Sequence, residues 1–78
     1  METTLATLEP GQKAIVSGTV PEQFRRFGIT EGTSVTCLQK SPLKDPVAYD
    51  IRGTVLALRQ KDAIEIPVHL HQEVETWD

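Results

Sequence analysis

The sequence is poor in the residues on which redox, nucleotide and membrane functions depend. It contains one cysteine, Cys37, so an internal disulfide is excluded and a reducing, cytoplasmic setting is expected. Its five glycines are spread along the chain and form no phosphate-binding loop. No apolar run approaches the ~20 residues that a membrane-spanning helix needs, so we expect no direct insertion into a membrane.

Basic residues are also scarce. Lys and Arg total 8 against 11 Asp and Glu, which gives a net charge of −3 at pH 7. Domains that bind nucleic acid usually carry a basic excess, so this balance argues against a nucleic-acid partner. With 38% hydrophobic and 24% charged residues, the 78-residue chain has the composition of a single small globular domain spanning residues 1–78.

Reactive side chains form no recognisable catalytic group. No Ser/His/Asp set occurs at a familiar spacing. Cys37 alternates with Val35 along a predicted strand, a pattern that favours a buried and inert thiol. We therefore expect neither enzymatic activity nor a bound cofactor.

Turn and strand signals predict an all-β protein with a short helix. Strands are predicted over residues 13–18, 33–40, 47–52, 54–59 and 66–70, and Gly or Pro turn signals separate most of them. Pro67 places the last strand at a sheet edge or a bulge. Leu5 and Leu8 are expected on one helical or irregular turn. A chain this short avoids open edges by curling its sheet, so we expect a small antiparallel barrel of about five strands.

The short helix is predicted over residues 21–27, after a proline and before a glycine. Phe24 and Phe27 are three residues apart, and both are expected in the core. Arg25 and Arg26 lie between them and face solvent. They act either as charges that suit the C-terminal end of the helix or as a basic spot that docks on an acidic patch of a partner protein.

Four stretches of the chain resemble the FeoA family. Residues 24–32 resemble the family's apolar-x-x-Leu-Gly-apolar-x-x-Gly segment, and the SPLKDP loop at 41–46 is similar to its Ala-Pro-Leu-Gly-Asp-Pro. Residues 56–63 resemble its apolar-x-Leu-Arg-x-x-(Asp/Glu)-Ala run, and the opening Leu5-x-x-Leu8-x-x-Gly also matches. Their order and spacing cover about residues 5–68, while the end of the last strand and the tail, 69–78, have no counterpart.

This resemblance implies an SH3-like barrel that works in the cytoplasm in ferrous iron uptake. FeoA-like proteins are associated with FeoB, a membrane transporter with a cytoplasmic GTPase part, so the implied role is to bind that part and modulate it. A similar domain occurs at the C-terminus of iron-dependent repressors. The alternative is therefore a free-standing regulatory module that contacts a transcription regulator. The sequence does not decide whether the chain forms a homo-oligomer.

The partner-binding residues expected on this basis are Arg25 and Arg26 of the helix and Leu43, Lys44 and Asp45 of the loop. Leu43 is an apolar residue at the tip of a proline-flanked loop, and rigid scaffolds often present binding residues on such loops. Otherwise Leu43 folds over the barrel mouth, Lys44 is an ordinary solvent charge, and Asp45 bonds nearby backbone as a turn residue.

The end of the sequence contains the only candidate metal ligands. His69, His71 and Glu73 are spaced two residues apart and would share one face of an extended strand. Two histidines and a carboxylate can bind zinc or another divalent metal, which makes the three weak candidates. An exposed polar strand end explains the same spacing, and we expect no physiological metal site here.

Overall fold

The computed structural model describes residues 2–40 and 45–70. In this part of the chain, six strands, two short α-helices and one 3-10 turn follow in the order β1 (Glu2–Thr4), 3-10 turn (Leu5–Thr7), β2 (Lys13–Val16), α1 (Glu22–Arg25), β3 (Ser34–Lys40), β4 (Val47–Ile51), β5 (Thr54–Leu58), α2 (Gln60–Ala63) and β6 (Pro67–Leu70). All strand pairs are antiparallel, in the order β1-β6-β2-β3-β4-β5. The predicted all-β class is confirmed.

Alternate side chains on the inner face of the sheet build one hydrophobic core. Leu5 and Leu8 are fully buried at the 3-10 turn, as their spacing predicts, and Phe24 covers the core from α1. Burial of each such side chain contributes roughly 1.5–3 kcal/mol. The strands bury the remaining core side chains at alternating positions, among them Ala14, Val16, Val35, Cys37, Val47, Tyr49, Ile51, Leu58 and Val68.

The β3–β4–β5 meander defines two opposite ends of the molecule. A two-residue turn, 52–53, joins β4 to β5. Because Val35 pairs with Ile51, the start of β3 lies beside that turn, at what we call the turn end. The end of β3, the start of β4 and the end of β5 lie at the loop end, where Val47 pairs with Leu58. Five residues of strand separate the two ends by roughly 16 Å.

Strand β6 has an internal position, so the prediction that Pro67 places it at an edge or a bulge is wrong. β6 lies between β1 and β2, with Thr4 opposite Pro67 and Val16 opposite Val68. Pro67 is the first residue of the strand, where its missing N–H does not interrupt the ladder, and its carbonyl oxygen accepts a bond from the Ser17 N–H. The strand outside it, β1, is not indicated by the sequence and makes six strands where about five were expected.

Within the described residues, the outer edges of the sheet, β1 and β5, are not paired with each other. The Tyr49 hydroxyl donates a hydrogen bond of 3.2 Å to the Leu5 carbonyl oxygen and so fastens β4 to the residue that follows β1. Burial, together with the nearby Cys37 thiol, raises the pKa of Tyr49 to about 12. The sheet is thus fastened by a buried side-chain bond as well as by its ladders.

Candidate functional site

Three of the predicted partner-binding residues are within the described chain, and they lie at opposite ends of the molecule. Arg25 is the last residue of α1 and Arg26 follows it, and both side chains are exposed. They belong to the connection that leads into β3, at the turn end. Asp45 lies just before β4, at the loop end. Leu43 and Lys44 are outside the described residues. The three described residues, Arg25, Arg26 and Asp45, therefore belong to two surfaces, which the strands hold apart.

Asp45 contacts helix α2 at the loop end. Its Oδ1 accepts a hydrogen bond of 2.9 Å from the backbone N–H of Gln60, the first residue of α2. Arg59 precedes that helix and makes no side-chain cap, so the carboxylate of Asp45 satisfies a helix N-terminus from fifteen residues away. This bond spans more chain than the local turn bond that was expected. A partner contact at Asp45 stays a prediction.

Phe27 is exposed, so the prediction that both phenylalanines lie in the core is wrong for this residue. Phe24 is 4% exposed and Phe27 is 58% exposed. The helix ends at Arg25, and Gly28, with a φ of 88°, turns the chain away from the helical path. Ile29 then enters the core and is fully buried. The three-residue spacing of the phenylalanines predicts a shared face only for a helix that continues through the second one.

Thr33 links the end of α1 to the β4–β5 turn. It is 2% exposed, and its Oγ1 donates to the Gly28 carbonyl oxygen at 3.3 Å. The same oxygen accepts a bond of 3.2 Å from the Thr30 N–H and one of 3.5 Å from Arg52 Nη2. These contacts bring the guanidinium of Arg52 beside the segment that carries Phe27.

Arg52 has a backbone conformation that arginine rarely adopts. Its φ is 56° and that of Gly53 is 86°, as in a type I′ turn, where the first position usually holds Asn, Asp or Gly. Asp50 Oδ1 accepts the Gly53 N–H at 2.8 Å and fixes the turn. A left-handed arginine costs roughly 1–2 kcal/mol. Sequence analysis missed Arg52; the available signal was an arginine before glycine in a two-residue loop between alternating strands.

Three arginines and one exposed aromatic ring therefore occupy the turn end. We call Arg25, Arg26, Phe27 and Arg52 the arginine surface. Within residues 2–40 and 45–70, no carboxylate forms an ion pair with any of these arginines, and only Arg52 makes a side-chain hydrogen bond. Their remaining N–H donors are available to a ligand, and guanidinium groups bind carboxylates through two parallel hydrogen bonds.

A family model described as the FeoA domain matches residues 3–70, almost the whole described chain. The chain belongs to the FeoA family. The resemblance in the four sequence stretches is thus confirmed. The described part of this FeoA-family chain contains no helix that is long and apolar enough to cross a membrane.

One curated relative joins a FeoA part to a transporter in a single polypeptide. It is the Fe(2+) transport protein A/Fe(2+) transporter FeoB fusion protein of Porphyromonas gingivalis, which is 32% identical over 71 residues. The match covers 85% of this chain and 8% of that protein. The chain therefore spans only a small part of that relative's length.

Solved structures confirm the fold. A FeoA-like protein from Clostridium acetobutylicum is 31% identical, with a TM-score of 0.85 over 97% of this chain and 94% of that one. FeoA from Stenotrophomonas maltophilia, described as an SH3 domain protein and complexed with zinc, is 24% identical, with a TM-score of 0.76 over 86% and 89%. A manganese-dependent transcriptional repressor is 16% identical, with a TM-score of 0.79 over 90% and 41%. The SH3-like fold of the FeoA family is therefore the fold of this chain.

The weak metal candidates are only partly within the described chain. His69 is exposed on β6 and pairs across the sheet with Glu2, whereas His71 and Glu73 lie outside the described residues. Among the residues that are described, no group of three or more His, Cys, Asp or Glu side chains could hold a metal ion. The three-residue site stays a weak hypothesis.

Proposed function

We propose that this FeoA-family protein is an accessory protein of ferrous iron uptake that binds the cytoplasmic GTPase part of a FeoB-like transporter. The observation that carries this proposal is the relative in which a FeoA part and FeoB form one polypeptide. Fusion holds two modules at a high effective concentration. A separate chain must instead reach the same partner through a binding surface, in the cytoplasm where the GTPase part lies.

Binding alone regulates a partner only when it distinguishes between that partner's states. The chain would shift the transporter towards whichever GTPase or assembly state it binds more tightly. The candidate contacts are the two surfaces at opposite ends of the sheet. Arg25 and Arg26 represent the turn end and Asp45 represents the loop end; Leu43 and Lys44, which precede Asp45 in the sequence, are proposed as contacts together with it.

The proposal is tested by titrating the purified transporter, and separately its cytoplasmic GTPase part, with this chain. We expect saturable binding and a changed rate of GTP hydrolysis. Leu43→Asp should weaken binding at least about tenfold, which corresponds to roughly 1.4 kcal/mol. Val55→Asp is the matched control for the loop end, because Val55 is 64% exposed on β5 and pairs with Asp50 beside the β4–β5 turn, at the opposite end of the sheet.

Each result has a distinct meaning. Absence of binding to both transporter preparations would contradict the proposed function. Binding that Leu43→Asp leaves unchanged would remove the loop end from the proposed surface and leave the turn end. The likeness to the manganese-dependent repressor concerns the fold alone at 16% identity, so the transporter is the proposed partner.

A further inference from the structure

The arginine surface combines features that general folding requirements do not explain. Phe27 is 58% exposed, and an exposed ring of this size loses the free energy that burial would provide. Arg52 occupies a left-handed position where a smaller residue would be more stable. Such costs at neighbouring positions are typical of surfaces that bind a ligand.

Contacts around Thr33 hold this surface in place. The hydroxyl of Thr33 connects the carbonyl oxygen of Gly28, next to Phe27, to the guanidinium of Arg52. Because Thr33 is buried and the turn is fixed by Asp50, the arginine is presented from a rigid support. A pre-organised arginine loses less conformational entropy on binding than a freely rotating one.

The charges at this end identify the class of ligand. Glu22 begins α1, Glu31 lies between α1 and β3, and Asp50 lies in β4 beside the turn, so three carboxylates accompany the three arginines and this end is close to neutral. A neutral end exerts little long-range attraction on a polyanion such as nucleic acid. Guanidinium groups that have no ion-pair partner still bind individual carboxylates at short range, through two parallel hydrogen bonds. The complementary ligand is therefore a protein segment that offers carboxylates at short range.

We propose that the arginine surface binds an acidic protein segment with an apolar side chain between its carboxylates. Arg25, Arg26 and Arg52 bond the carboxylates, and Phe27 packs against the apolar side chain. This inference rests on the proposed function for the identity of the partner, which is the cytoplasmic part of the transporter. It adds the chemistry of the segment that is recognised.

The test uses a short synthetic peptide in which glutamates flank a Leu-Phe pair. Binding to the full chain is followed by fluorescence anisotropy and by amide chemical shifts. We expect Arg52→Asn and Phe27→Ser each to weaken binding about tenfold or more, since asparagine suits the turn and preserves the fold. Two comparison peptides, one with serines in place of the Leu-Phe pair and one with lysines in place of the glutamates, should bind at least tenfold more weakly.

Matched control variants are available at the loop end. Arg59→Asn removes an exposed arginine next to α2, and Ile64→Ser removes an apolar side chain that is 59% exposed just after α2. Both should bind the Leu-Phe peptide as the unaltered chain does. Equal losses in the control and test variants, or equal binding of the serine peptide or of single-stranded DNA, would overturn the proposal.

The same four variants are then titrated against the cytoplasmic part of the transporter. Loss of binding in Arg52→Asn and Phe27→Ser alone supports the inference. If the transporter binds all four variants equally, the inference fails while the proposed function stands. If the unaltered chain binds the peptide but not the transporter, the proposed function fails and the chemistry of the surface stands.

Discussion

At the scale of single residues, Tyr49 is completely buried and has a hydroxyl group that can ionise. Burial and the Cys37 thiol raise the pKa of Tyr49 from 10.0 to about 12, so the native state keeps a proton that the unfolded state releases in this interval. The free energy of unfolding therefore includes the full contribution of Tyr49 below pH 10 and loses it as the pH rises towards 12. The complete loss is on the order of 2–3 kcal/mol.

Tyr49→Phe should separate this ionisation from packing. At pH 7 the variant loses the bond to the Leu5 carbonyl oxygen, which still accepts the Leu8 N–H, so we expect unfolding to cost about 1 kcal/mol less. Between pH 10 and 12 the variant should lose less stability than the unaltered chain. Urea unfolding at a series of pH values measures both. If the free energy of unfolding falls equally in both proteins between pH 10 and 12, ionisation of Tyr49 is not the cause of the loss.

Arg52→Asn should stabilise the fold even though it removes a side-chain bond. The left-handed φ of 56° suits asparagine, and the lost bond to Thr33 is long, at 3.5 Å. We expect unfolding to cost about 0.5–1 kcal/mol more, measured by urea denaturation at pH 7. A clear loss of stability would mean that the Arg52–Thr33 contact matters more for folding than for ligand binding.

At the scale of elements, α2 depends on a residue outside itself. A four-residue helix has little intrinsic stability, and Asp45 supplies its N-terminal hydrogen bond. Asp45→Ala should destabilise the chain by about 1 kcal/mol and speed hydrogen exchange at the first amides of α2. Asp62→Ala, which changes an acidic residue inside α2, is the control. Equal exchange in the Asp45→Ala and Asp62→Ala variants would contradict the capping role.

Sequence patterns predicted the strands whose buried residues alternate along the chain. They failed for residues and elements whose position depends on contacts with other parts of the chain. Alternation placed β4, whose inner residues are buried at every second position, as well as β3 through Val35 and Cys37 and β5 through the partly buried Leu56 and the buried Leu58. Strand β1 is only three residues long and has no buried side chain, so the hydrophobic pattern of the sequence does not indicate its pairing with β6. Phe27 was misplaced because its position depends on where α1 ends.

At the scale of the whole molecule, antiparallel pairing decides which predicted residues can act together. Arg25 and Arg26 were predicted as solvent-facing and are exposed, but the sequence did not reveal that Asp45 lies at the other end. Arg52 joins the turn end through the pairing of β3 with β4, a contact between distant parts of the chain. A partner that touched both ends would have to span the length of the β4–β5 hairpin.

The central claim is that this chain binds a FeoB-like transporter through a defined surface, and a nuclear magnetic resonance titration tests it most directly. The isotope-labelled chain is titrated with the cytoplasmic GTPase part and with the complete transporter in detergent. The account predicts saturable amide shifts concentrated on 25–28, 33 and 52, with or without shifts on 43–45. Unchanged spectra with both preparations would contradict the account.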